Sequence, residues 1–110
     1  AERILNQTRY PELLKKEQRG FYHFTKGLIE ANRNNSDEAY KNLNEALKFG
    51  VRTENNIAII NLNLAGLDIE KGKINGAKEH IKFVRTLKYN PVLEPDILKM
   101  ENGINNSVQQ

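Results

Sequence analysis

Proton-transfer chemistry near neutral pH most often uses histidine, and this chain holds only two, His23 and His80. Neither has a metal-binding companion four residues on, so no His-Glu-x-x-His pair exists. A histidine base also needs a nucleophile and a third group to orient it. Cysteine is absent, which excludes a thiolate nucleophile, a disulfide and a cysteine-based zinc site. The acidic residues are spread between bases and asparagines, and Asp96 and Glu101 lack the spacing of a calcium loop. Gly20, Gly27, Gly72 and Gly76 do not form a phosphate-cradling loop; the first pair falls in a helical pattern and the second flanks a turn. The sequence therefore predicts no catalytic, cofactor-binding or metal site and a non-enzymatic chain. His23 reads as a packing or groove residue, and His80 as a residue on the exposed side of a helix. Three Asn-x-Ser/Thr triplets begin at Asn6, Asn34 and Asn105, matches expected by chance in so asparagine-rich a chain.

The strongest charge feature is basic. Lys78, Lys82 and Arg85 fall near one face of a helix and are candidates for a basic surface, with Lys71, Lys73 and Lys88 nearby. Such a face is either simply solvated or turned toward an acidic protein or a membrane surface. The formal charge is only +3, and no DNA- or RNA-reading motif accompanies it, which argues against nucleic acid. The apolar stretch from Ile57 to Leu67 is broken by Asn61 and Asn63 and is far too short for a membrane span. No basic-then-apolar leader opens the sequence, although Ala1 says nothing about what precedes it. Cytoplasmic and periplasmic settings are equally compatible.

Helices must position these residues. Leu13, Leu14, Phe21, Phe24, Leu28 and Ala31 make one broad helical stripe ending near Asn32. Gly20 and Gly27 weaken that helix by about 1 kcal/mol each relative to alanine, so they need a compensating reason. Asn34-Asn35-Ser36 signals a turn, with Ser36 as N-cap, Asp37 and Glu38 in the first turn, and Gly50 as a left-handed C-cap. Thr53 opens a third helix carrying Ile57, Ile60, Leu64 and Leu67, widened by Ile59, Leu62 and Ile69, which should be the most buried. Lys71-Gly72-Lys73 ends it, and Asn75 reads as the cap of a fourth helix bearing Ala77, Ile81, Val84 and Leu87. After Pro91, Leu93, Ile97, Met100 and Ile104 suggest a short capping helix over about 92–104, before a polar tail expected to fray. Ile4 and Leu5 stand in a first segment that reads as a loose arm or a helix end. Nothing alternates with period two, so the expected class is all-α.

Small residues repeat. Gly27 and Ala39 are twelve apart, as are Ala65 and Ala77, and each pair is followed by Leu43 and Ala46 or by Ile81 and Val84. Small side chains let two antiparallel helices approach closely, which gives Gly27 its reason. This pattern resembles the tetratricopeptide repeat, a helix–turn–helix unit of about 34 residues. Units at about 20–53 and 58–91 match it, and Gly72-Lys73-Ile74 looks like its interhelix turn. Departures are plain: His23 and Asn61 replace an early aromatic, Glu30 and Asp68 replace a later tyrosine, and equivalent residues are 38 apart.

The resemblance implies antiparallel hairpins stacked as a short right-handed superhelix or α-solenoid over 1–110, whose first helices line an inner groove. Candidates there are Phe21, Phe24, Leu28, Asn32, Asn55, Ile59, Leu62, Asn63 and Glu70. The expected function is a scaffold that docks a peptide or helix, with apolar anchors and a polar rim. The alternative is a structural or oligomerisation module, self-associating through exposed Ile4, Leu5, Ile97 and Met100.

Overall fold

The computed structural model describes residues 11–109, with side chains described from 15 to 106. The first segment, including Ile4 and Leu5, and the side chains of Leu13 and Leu14 lie outside that description. The described chain is all-α: α1 (Pro11–Asn32), α2 (Ser36–Phe49), α3 (Glu54–Glu70), α4 (Ile74–Arg85), a 3-10 turn (Pro91–Leu93) and α5 (Glu94–Gln109). It divides between Arg52 and Thr53 into two compact units, one built on α1 and α2 and the other on α3, α4 and α5.

In the first unit, Gly20 lies against Gly50 and Gly27 against Leu43, so the two helices run antiparallel. The approach is too close for any side chain at these glycines. A β-carbon at Gly20 would stand 2.0 Å from the Gly50 carbonyl oxygen, and one at Gly27 would stand 2.7 Å from Leu43 Cδ2. Close backbone contact with Ala39, Leu43 and Ala46, all fully buried, offsets the helix propensity lost at both glycines.

Both interhelix turns use the same hydrogen bonds. In the first, the Asn34 N–H donates to Ala31 O at 3.1 Å and the Asn35 N–H to Glu30 O at 2.9 Å. In the second, the Gly72 N–H donates to Ile69 O at 3.1 Å and the Lys73 N–H to Asp68 O at 2.7 Å. This is the Schellman arrangement, with the left-handed position filled by Asn34 (φ 65°) and Gly72 (φ 77°). These two residues are 38 apart, the same interval as the small residues.

Thr53 caps α3 as expected, its hydroxyl oxygen accepting the Asn56 N–H at 3.0 Å. Other boundaries differ from expectation. Asn35, not Ser36, precedes α2, and Lys73, not Asn75, precedes α4, because each Schellman turn delivers its sixth residue directly to the next helix. Gly50 has positive φ (100°) but extended ψ (137°), so it breaks α2 without the left-handed cap geometry. Helix α5 continues through Asn105 to Gln109, and the tail expected to fray is helical.

The second unit has a three-helix core. Ala58, Leu62 and Ala65 of α3 meet Ala77, Ile81 and Val84 of α4, and Ile97 and Ile104 of α5 close over them. Ile60, Leu64 and Leu67 are buried as well, so α3 buries apolar side chains on more than one face. The chain between α4 and the 3-10 turn is tied back to the start of α3: the Asn90 N–H donates to Asn55 Oδ1 at 2.7 Å, and the Lys88 N–H to Glu54 Oε1 at 3.3 Å.

Gly20→Ala is expected to destabilise the chain by about 1–3 kcal/mol through overpacking, even though alanine is the better helix former. The midpoint of urea unfolding measures this; an unchanged or raised midpoint would mean the helices do not approach as described.

Candidate interaction site

Polar side chains meet between the two helices of each pair. In the first unit, His23 Nδ1 lies 2.8 Å from Asn42 Oδ1. In the second, His80 Nδ1 lies 2.8 Å from Asn61 Oδ1. The two pairs occupy equivalent positions with the residues exchanged: His23 corresponds to Asn61, and Asn42 to His80, each 38 residues on. Asn42 and Asn61 are buried, and each side-chain N–H also donates to the carbonyl four residues back, Glu38 O at 2.8 Å and Ile57 O at 2.9 Å. Each carboxamide is thus satisfied on both sides by one helix turn and one cross-helix ring.

A buried carboxylate accompanies each pair at the C-terminal end of the first helix, where the helix dipole disfavours it. Glu30 accepts a 2.7 Å hydrogen bond from Asn35 Nδ2 and stands 3.7 Å from Arg33. Asp68 is 2% exposed and faces His80 Nε2 at 3.4 Å, while its other oxygen, Oδ1, has no hydrogen-bond partner. Gly76 leaves the room that this carboxylate occupies, since a β-carbon there would be 2.9 Å from Asp68 Oδ2. His80 therefore sits half-buried between Asn61 and Asp68, and not on the exposed face expected for it. His23 is a packing residue, stacked on Phe49 with ring centroids 5.7 Å apart. No group of three or more metal-ligating side chains occurs among the described residues.

The predicted groove residues separate. Ile59, Leu62 and Asn63 converge on an open groove of about 470 Å³ between α3 and α5, with Met100 and Leu93 opposite and Asp96 and Lys99 at its edge. Asn63 Nδ2 donates to Ile59 O at 2.8 Å, which leaves its carbonyl oxygen as an acceptor beside the groove. Asn55 is not part of it, because its carboxamide oxygen holds Asn90. Glu70 is exposed and does not line it. In the first unit Phe24 is buried core, Leu28 is half-buried, and Phe21 and Asn32 are exposed; none of the four lines the groove. Phe24 is only 8% exposed.

Helix α5 supplied residues that sequence reasoning placed elsewhere. Ile97, expected to be exposed for self-association, is fully buried, and Met100 is half-buried against the core. Their spacing signalled a helix but not which helices it would cover. Gly103 also lines the groove and has only open space around it.

Arg85 links α4 to α5 through its guanidinium. Its guanidinium donates to both Glu101 oxygens, at 2.8 and 3.2 Å, to Glu94 at 2.5 Å and to the Tyr89 hydroxyl at 2.9 Å. The Tyr89 hydroxyl in turn donates to Glu94. Arg85 is thus held by two carboxylates and drops out of the free basic surface, which keeps Lys78 and Lys82. The hydrogen bonds to Glu101 above all raise the Arg85 pKa, against a smaller opposing effect of desolvation. The bond from Tyr89, followed by Arg85, holds the Glu94 carboxyl below its ordinary value against some desolvation. The same bond to Glu94, with desolvation, raises the Tyr89 phenol, and Arg85 partly offsets it.

No family model matches this chain, and no curated protein or solved structure matches it. No helix among the described residues is long and apolar enough to cross a membrane.

Two outcomes test these contacts. His23→Asn alone should cost about 1–3 kcal/mol by removing the ring that satisfies Asn42, whereas His23→Asn with Asn42→His, the order found in the second unit, should recover most of it. Denaturant unfolding of the single and double variants reads the coupling. The Glu94 contribution should be present above the ordinary carboxylate pKa and fade as pH falls through its lowered value; that of Tyr89 should be present below the ordinary phenol pKa and fade as pH rises through its raised value. Thermal melting across both windows, compared with Arg85→Gln, checks this; identical pH profiles for the two proteins would exclude the latch.

Proposed function

We propose that this chain is a non-enzymatic protein-interaction scaffold built from two helix pairs of tetratricopeptide type. A peptide or helix docks by placing a large apolar side chain in the groove between α3 and α5. One observation carries this reading: Ile59, Leu62 and Asn63, which the tetratricopeptide resemblance places on an inner groove, line a cavity of about 470 Å³. Its walls are apolar and its edge is polar, with Asn63 and Asp96 as acceptors and Lys99 as donor. Such a site gains affinity from a buried anchor and specificity from the groups around it. The matched small residues and the two identical Schellman turns support the tetratricopeptide kinship.

Gly103→Leu tests the groove, because leucine is a better helix former and a β-carbon at Gly103 would meet nothing within 4 Å. Partners captured by the wild-type chain should bind Gly103→Leu at least about tenfold more weakly, a loss of roughly 1.4 kcal/mol, with unchanged or higher thermal stability. Equal affinity for both proteins would place binding elsewhere.

A structural or oligomerisation role is the second reading, favoured by the apolar surface of α1. Phe21, Tyr22 and Ile29 are 65%, 56% and 46% exposed there. On this reading, light scattering should give a mass that rises with concentration and returns to the monomer in Phe21→Ser with Ile29→Ser. A constant monomer mass would exclude self-association.

A further inference from the structure

A second cleft, of about 490 Å³, opens on the other side of α5, between it and α4. Lys78 and Lys82 stand on its α4 wall one helical turn apart, within reach of a single ligand group. Asn102 and Asn105 stand on its α5 wall, and the nearly buried side chains of Ile81 and Ile104 form its floor. The charges around it are unevenly committed. Glu101 and Arg85 neutralise each other at one end, with a two-bond contact at 2.8 and 3.2 Å. Lys78 and Lys82 have no ion-pair partner among the described residues. Arg85 therefore takes up the α5 carboxylate that lines the cleft, Glu101, and leaves the two lysine charges facing it.

We infer that this α4–α5 cleft binds an acidic peptide segment, with a glutamate or aspartate carboxylate held by Lys78 and Lys82 and a neighbouring apolar side chain on Ile81 and Ile104. The carboxamides of Asn102 and Asn105 supply donors for the remaining carboxylate or backbone oxygens. The charge pattern favours a peptide over a nucleic acid. Lys78, Lys82 and Arg85 are set against Glu79 and Glu101 in the cleft lining, a net of one positive charge. A nucleic-acid backbone needs a continuous run of cations, and Glu79 interrupts this one. An apolar floor beneath a paired-lysine rim matches a carboxylate beside a leucine-like side chain. The site is separate from the α3–α5 groove and does not depend on it.

The probe is a fluorescein-labelled peptide alternating glutamate with leucine, titrated with the intact chain and read by fluorescence anisotropy. Counterparts carry lysine for glutamate or serine for leucine, and an unlabelled oligothymidylate serves as competitor. Lys78→Glu with Lys82→Glu should weaken binding by at least about tenfold, and Lys78→Gln with Lys82→Gln by a smaller factor. Lys15→Glu with Lys16→Glu, which reverses two exposed charges on α1, should leave binding within about twofold, as should Gly103→Leu. Amide and carboxamide NMR signals of Asn102 and Asn105 should shift on addition of the peptide. Loss on Gly103→Leu with retention in the lysine variants would overturn this assignment while leaving the α3–α5 groove standing. Equal loss in the α1 control, equal binding of the lysine-bearing or serine-bearing peptide, or displacement of the probe by oligothymidylate at lower concentration than by unlabelled peptide would each overturn it.

Discussion

Everything else in each unit depends on how closely its first two helices approach. Backbone contact at Gly20 and Gly27 leaves no volume for a large side chain between α1 and α2, so the pair must be held by small apolar residues and short polar links. A buried polar link is worth little unless all its groups are satisfied, and costs several kcal/mol if they are not. The histidine–asparagine bond meets that condition. Each asparagine closes a bond within its own helix and accepts or shares the imidazole proton across the interface. Sliding one helix by a residue would orphan both groups, so the bond sets register as well as contributing stability.

The exchange of histidine and asparagine between units shows that the interface constrains the pair, not the residue on either helix. An imidazole and a carboxamide can swap sides because their hydrogen-bonding atoms meet near the middle of the gap. The acidic residues follow the same logic with different solutions. Glu30, 9% exposed, is served by Asn35 and Arg33, whereas the shorter Asp68, 2% exposed, depends on His80 and on the space at Gly76.

Helix α5 turns the second pair into a three-helix unit with two clefts. It lies over the cores of α3 and α4 through Ile97 and Ile104, and its width leaves one cleft on each side. One cleft is apolar and the other rimmed by lysine. Arg85 adds to this difference, because it pairs with Glu101, the α5 carboxylate that lines the lysine-rimmed cleft. A single guanidinium thereby acts on packing and on surface electrostatics together.

The five helices of the described residues, the two interhelix turns and the close packing at Gly27 were legible from residue order, because periodicity, turn chemistry and steric size act over a few residues; the matching role of Gly20 was not. The interval of 38 was legible too, and applied to every polar residue it pairs His23 with Asn61, Asn42 with His80 and Glu30 with Asp68. Of these, only the correspondence of Asn42 with His80 went unread, because asparagine is so frequent that its buried members look like the exposed ones. Only tertiary structure decided which asparagines were buried, that Phe24 was core while Phe21 was not, and that Arg85 was spent on α5. Those outcomes depend on which face meets which, a choice made by contacts between segments far apart in the chain. Residue types say what a helix can bury, and only the neighbour it meets decides what it does bury.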